Sequence, residues 1–231
     1  MELLEAIRVR KSVRAYKPDP VSLDTLMDLL NAAVRAPSSV NSQPWEFFLV
    51  MGEALDALRK AYVEQVRSGI PPHPEVAIPE QKGTAPGLGG VYRDRQVALA
   101  KQMFRLLGIG KGEKDKIQAW TESMYRFYDA PAAVVLVTDK SLISGWPLVD
   151  TGIMAGTLAY AALEFGLGTC IIRSIVDYPE QLRAVVGIPD SKQIVVGMAI
   201  GYPDWNAPVN ELNTEREALK NLVTLVDRPK S

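Results

Sequence analysis

One stretch of twenty residues, PLVDTGIMAGTLAYAALEFG from Pro147 to Gly166, constrains the fold more than any other. It reads as a helix that is apolar nearly all round and rich in Ala and Gly. Such a helix does not rest on a surface with one face in water. It packs centrally, or against a second helix at close range. The rest of the chain must supply the cover. With 231 residues, 47% of them hydrophobic and 23% charged, there is material for one sizeable core. One large domain over 1–231 is expected rather than two small ones.

The elements around that helix alternate. WEFFLVM (Trp45 to Met51), AAVVLVT (Ala132 to Thr138), GTCIIRS (Gly168 to Ser174) and KQIVVGMAIGYP (Lys192 to Pro203) read as strands. AAVVLVT has no polar alternation, so both its faces should be buried. MELLEAIRVR opens with a short helix. Ser22 is placed to cap a second one, with Leu23, Leu26, Met27, Leu29, Leu30, Ala33 and Val34 at helical spacing. Pro37 bars its continuation, because the residue before a proline is pushed out of the α region. GEALDALRKAYVEQVRS, VYRDRQVALAKQMFRLL, EKDKIQAWTESMYRFYDA and YPEQLRAVVG also read as helices. Residues 69–90 hold five prolines and five glycines, so no regular element fits there. So long a structureless run in a compact domain is an insertion, either a functional flap or a disordered stretch. Helices outnumber and separate strands, which implies α+β or α/β architecture with one sheet covered by helices. The tail beyond Asp204 is polar and extended, with a helical pattern in TEREALKNLV.

Composition excludes several function classes. Lys plus Arg total 26 against 27 Asp plus Glu, so no global charge points to nucleic acid or a membrane surface. No apolar run reaches the length of a membrane span, and the N-terminus lacks a signal-peptide core, so a cytoplasmic location is expected. Cys170 is the only cysteine and His73 the only histidine, which argues against disulfides, a zinc site or a Ser-His-Asp triad. Cys170 begins an apolar strand and reads as a small buried hydrophobe. His73, in PPHPE, reads as a solvated loop residue. Asp150, in the apolar helix, needs a partner, and an arginine is the expected one.

Against this neutral background one segment stands out. Arg8, Arg10, Lys11, Arg14 and Lys17 fall within ten residues that contain no acid. This is either a solvated basic face or an anion site. In the second case Arg10 and Arg14 fork onto a phosphate, with the Ser12 hydroxyl and backbone N–H groups completing the shell. Two glycine clusters do not compete for that role. GIGKGE (Gly108 to Glu113) and GLGT (Gly166 to Thr169) both follow helices, where a dinucleotide fingerprint follows a strand. They read as helix stops.

The order Arg10-x-Ser12-x-Arg14, a helix, then APSSVNSQPW (Ala36 to Trp45) and a strand closely resembles the flavin-dependent nitroreductase family. DTGIMAGTLAYAALEFGLGT resembles that family's central helix and following strand, and GYPD with the later NTER resembles its closing segment. The likeness runs nearly end to end and is weakest over 69–130. It implies a central, mostly antiparallel sheet flanked by helices, with an extended C-terminal segment. It also implies a homodimer holding two FMN molecules between its subunits. On that pattern Arg10, Lys11, Ser12 and Arg14 bind the FMN phosphate, ribityl chain or ring edge, and Arg216 adds a second phosphate contact. Pro37, Ser38, Ser39 and Asn41 reach the flavin of the other subunit, and Gln43 is a further candidate there. Ile171, Ile172 and Arg173 lie along the ring, with a backbone N–H near the flavin N5. The chain departs from one branch of the family, which has Pro-Ile-Glu-Gly where Ile171-Ile172-Arg173-Ser174 stands. Trp146 replaces a glutamine of that branch, and either stacks on substrate or simply packs. Trp120, Tyr125, Phe127 and Tyr128 either line a substrate pocket or pack.

The activity implied is reduction of nitroaromatics, quinones or related electron-poor acceptors by NADH or NADPH in ping-pong turnover. The flavin carries the reactivity, so no catalytic side chain and no metal are needed. The alternatives are reductive dehalogenation or another flavin chemistry in the same cradle, a flavin-binding protein without turnover, and an interaction module whose basic N-terminus binds an acidic partner.

Overall fold

The computed structural model describes residues 1–76, 89–142 and 145–228. The centre of the Pro/Gly-rich run, 77–88, lies outside the described residues. A four-stranded antiparallel sheet organises the chain. Its strands are β1 (Trp45–Met51), β2 (Ala132–Asp139), β3 (Gly168–Ile172) and β4 (Lys192–Gly201), in the order β1-β2-β4-β3. Strand β2 lies between two neighbours and is buried along nearly its whole length, which explains its unbroken apolar run.

Alternate residues of β2 feed two cores. Ala133, Val135 and Val137 face one that also holds Tyr62, Tyr125, Phe127 and Tyr178. It is roofed by α3 (Gly52–Arg67), α5 (Lys114–Tyr125) and α7 (Pro179–Val186). Ala132, Val134 and Leu136 face the other, roofed by α2 (Leu23–Ala33) and α6 (Trp146–Ala161). Helix α1 (Leu3–Val9) lies at the N-terminus, and α4 (Gly90–Leu106) buries none of its residues.

Local chemistry explains the boundaries. Ser22 caps α2 by accepting the Thr25 N–H at 3.1 Å. Gly108 and Gly166 adopt left-handed backbone just past helical segments, as expected of helix stops. Four expectations need correction. Helix α6 is not covered all round: Trp146, Val149 and Ile153 form an exposed apolar stripe. Strand β3 stops at Ile172, and Arg173–Val176 turn as a 3-10 helix. Helix α5 ends at Tyr125, because Phe127, Tyr128 and Asp129 take left-handed backbone. In the tail, the helical pattern of TEREALKNLV yields only a single 3-10 turn at Leu219–Asn221. A helix that short has no stability without a surface to pack on, and these residues are exposed.

Candidate functional site

The basic segment is built against the outer edge of the sheet. Val13 N–H donates to the Thr169 carbonyl at 2.9 Å, and Ser12 bridges Thr169 in parallel. Lys17 N–H then donates to the Tyr202 carbonyl at 2.8 Å, and Tyr16 bridges Pro203. Val13 is buried, while Arg10, Lys11, Ser12 and Arg14 are half-buried around it. Gly168 allows the close approach: a Cβ there would lie 2.6 Å from Val13 Cγ2 and 2.7 Å from Pro203 Cγ. Beyond Thr169, the outer edge of β3 has no partner strand among the described residues, so backbone groups there are open to a ligand. Ile171 stands at that edge with 45% of its surface exposed.

Asn210 locks this arrangement, and it was not legible in the sequence. It is 2% exposed. Its Oδ1 accepts the Arg14 N–H at 2.8 Å, and its Nδ2 donates to the carbonyls of Ala15 and Asp204, each at 2.8 Å. Its own carbonyl accepts from Lys11 Nζ at 2.9 Å. A lone Asn in APVNELN has no pattern that announces such a role.

The charge here is uncompensated among the described residues. No ion pair among the described residues involves Arg10, Lys11 or Arg14. The Arg10 guanidinium lies 6.0 Å from the Tyr160 ring centroid, and Arg14 donates to the Ser12 carbonyl at 3.3 Å. Two hollows border the segment. One, of about 370 Å³, is touched by Arg10, Lys11 and Thr169. The other, of about 520 Å³, is touched by Arg14, Trp120 and Tyr128. Trp120 and Tyr128 face each other there at 5.4 Å between centroids, whereas Tyr125 and Phe127 pack on Tyr62 inside the core. Burial pushes the Cys170 and Tyr128 pKa values up, so both stay neutral beside the cations.

The remaining expected residues are placed as follows. Ile172 is buried, and Arg173 is exposed with its Nε 3.8 Å from Asp177 Oδ1. Asp177 is fully buried, and Tyr125 donates to its Oδ2 at 3.0 Å. Burial raises the Asp177 pKa, and the Arg173 charge opposes that rise. The positive charge introduced at Arg173 thus sits against a carboxylate. Trp146 opens α6 and is exposed. Arg216 is exposed, and among the described residues its NH1 donates within its own segment, to Thr214 and Glu215.

Pro37, Ser39, Asn41 and Gln43 are exposed and Ser38 is half-buried, all on the loop before β1. This loop is tied to the other end of α6 from Arg10. Asp150 Oδ1 accepts the Ser39 N–H at 3.1 Å, whereas Tyr160 lies under Arg10. Ten residues of helix separate the two anchors, about 15 Å. The expected arginine partner of Asp150 is therefore wrong, and a backbone amide takes its place. His73 is also not simply solvated: its Nε2 lies 2.6 Å from Glu180 Oε2, and its backbone N–H donates to the Asp177 carbonyl at 2.9 Å.

A model of the nitroreductase family matches residues 7–202, which spans both ends of the site. The chain belongs to the nitroreductase family. The nitrobenzene nitroreductase of Ectopseudomonas oleovorans is 30% identical over 224 residues, covering 96% of each chain. Two solved nitroreductases have the same fold. The FMN- and NADPH-dependent NfnB from Sphigopyxis sp. strain HMH superposes with a TM-score of 0.91 at 28% identity, over 99% of this chain and 100% of that one. The FMN-dependent NfnB from Mycobacterium smegmatis, in complex with NADPH, gives 0.87 at 28% identity, over 97% and 100%. Among the described residues the chain has the donor set that a phosphate-bearing flavin needs: guanidinium groups without an ion-pair partner, an ammonium, a hydroxyl and an open strand edge. No group of three or more His, Cys, Asp or Glu poised for a metal occurs among the described residues, and none of their helices is long and apolar enough to cross a membrane.

Proposed function

We propose that the chain is an FMN-dependent oxidoreductase. It takes reducing equivalents from NADH or NADPH and passes them to nitroaromatics, quinones or related electron-poor acceptors. One observation carries this reading: a basic segment without counter-charge among the described residues, braced on the open edge of β3, in a nitroreductase-family chain. Bound FMN would supply the hydride and electron chemistry. Arg10, Lys11, Ser12 and Arg14 would hold its phosphate, ribityl chain or ring edge, with Arg216 as a further phosphate contact. The edge at Ile171, Ile172 and Arg173 would support the ring, its N–H groups placing positive potential where negative charge collects. Donor and acceptor would use one ring face in turn, which gives ping-pong kinetics. Trp146 is a candidate contact for the acceptor.

The site is shared in a homodimer on this reading. The exposed apolar residues of α6 (Val149, Ile153), of α1 (Leu3, Leu4, Ile7) and of the tail (Leu219, Leu222, Val223) are the surfaces that a second copy would cover. Two copies of α6 related by a two-fold axis across them run antiparallel. The loop at one end of α6 then approaches the basic segment at the far end of its mate. Pro37, Ser38, Ser39, Asn41 and Gln43 would reach the partner's cofactor in this way. Residues 1–231 form one such domain, with a flap-like insertion around 69–130 carrying α4 and α5. A cytoplasmic location suits an enzyme that draws on reduced nicotinamides.

The test is a purified protein titrated with FMN, then assayed for oxidation of NADH and NADPH against a panel of nitroaromatics, quinones and halogenated aromatics. Stoichiometric FMN with nitroaromatic turnover is expected. A protein that binds no FMN refutes the reading. FMN binding without turnover leaves a carrier, and halide release as the main activity leaves a dehalogenase.

A further inference from the structure

The loop between α2 and β1 is strained. Val40, Asn41 and Gln43 have φ of +47°, +57° and +46°, and none is glycine. For a β-branched residue such as Val40 this region is a genuine outlier. Backbone of this kind persists only where its surroundings over-determine it. The Val40 side chain does not help, being 95% exposed. Two polar tethers do. Ser38 Oγ accepts the Gln43 N–H at 2.9 Å. Asp150 accepts the Ser39 N–H at 3.1 and 3.3 Å through its two oxygens, and Oδ2 accepts the Ser42 hydroxyl at 3.5 Å.

Asp150 is an unusual residue to find there. It is 3% exposed, in an otherwise apolar helix, with no cation paired to it among the described residues. A buried carboxylate without a cation opposes folding unless N–H or O–H donors offset its desolvation. Its donors all come from the loop, so its gain lies in the loop's shape. Val149, just before it, belongs to the exposed stripe of α6. Adjacent residues of one helix thus carry the apolar face and the loop tether.

We propose that Asp150 is a positioning residue. From α6 it holds loop 38–43 in the left-handed form that presents Ser39 and Asn41 to a cofactor. This inference rests on the shared-cofactor reading above. Asp150 itself touches neither cofactor nor substrate on this view and acts through the loop.

The test uses the full-length protein and the variants Asp150→Ala, Asp150→Asn, Val40→Gly and the Asp150→Ala/Val40→Gly pair. Amide hydrogen exchange of 38–43 is read without FMN, FMN affinity by fluorescence quenching, and oligomeric state by light scattering. Asp150→Ala should speed exchange in the loop and weaken FMN binding by about ten-fold or more, as loss of a charge-assisted hydrogen bond requires. Asp150→Asn keeps an acceptor without the charge and should lose about three-fold, and it carries the test if the alanine variant aggregates. Val40→Gly should restore part of the affinity lost in Asp150→Ala, because glycine takes the left-handed region without strain. A packing defect in α6 would not be repaired from Val40. Unchanged loop exchange in both Asp150 variants overturns the proposal. So does faster exchange with wild-type FMN affinity, or a double variant no better than Asp150→Ala. A wild-type protein that binds no FMN overturns the cofactor reading instead, while the exchange data still decide whether Asp150 holds the loop.

Discussion

Replacing Asn210 by Ala tests how the candidate cofactor site is assembled. The substitution removes three side-chain hydrogen bonds, those with Arg14 N–H, the Ala15 carbonyl and the Asp204 carbonyl. The contact from Lys11 survives, because it goes to the backbone carbonyl of Asn210. At about 1 kcal/mol net for each bond, the loss is about 3 kcal/mol, and more if the orphaned groups stay out of reach of water. For a chain of this size that corresponds to a fall in melting temperature of about 6–12 °C. The damage is local to the segment that carries Arg14, so FMN affinity should fall as well. Scanning calorimetry with and without FMN measures both effects. A melting temperature within about 2 °C of wild type, with FMN stabilisation undiminished, would refute the bracing role given to Asn210.

Other outcomes follow from the same geometry. Arg14→Ala and Arg216→Ala should each weaken FMN binding by about 1.5–3 kcal/mol, roughly ten- to a hundred-fold, and unchanged affinity in both variants would sink the phosphate assignment. Gly168→Ala places a methyl group 2.6 Å from Val13 Cγ2, so it should cost about 1–3 kcal/mol of stability and loosen the basic segment; wild-type denaturant midpoint and FMN affinity would contradict this. Glu122 is held at a pKa of about 2 by hydrogen bonds from Arg67 and Gln118. A lowered folded-state value means stability that is complete above the unfolded carboxylate range and is lost as pH falls toward about 2. The acid limb of the melting curve should therefore be shallower in Glu122→Gln than in wild type, and identical limbs would exclude the contribution.

The parts of the fold that were legible in sequence share a local cause. AAVVLVT could be read as a doubly buried strand because burial on both faces removes polar alternation at every position. Ser22, Gly108 and Gly166 mark boundaries because capping and left-handed backbone depend on one residue and its neighbours. Where the pattern misled, a distant surface decided. TEREALKNLV has helical spacing, but none of the described residues covers its Leu219, Leu222 and Val223. Helix α6 reads as apolar on every face, and in one chain only part of that surface is covered. Asp150 announced through its polarity that it needed a partner, yet that partner is an amide 111 residues away in the sequence.

By itself, the sequence determined most of the elements, the family and the residue types of the proposed cradle: a basic Arg-x-Ser-x-Arg segment and a small polar loop before β1. These follow from periodicity and local backbone chemistry, which act over a few residues. Only the tertiary structure decided that Asn210 braces the basic segment, that Asp150 tethers the loop, and that the basic segment and the loop lie at opposite ends of α6. Those are contacts between residues far apart in the chain. A hydrogen bond to a backbone amide places almost no demand on which side chain is nearby, so neither partner carries a mark of the other.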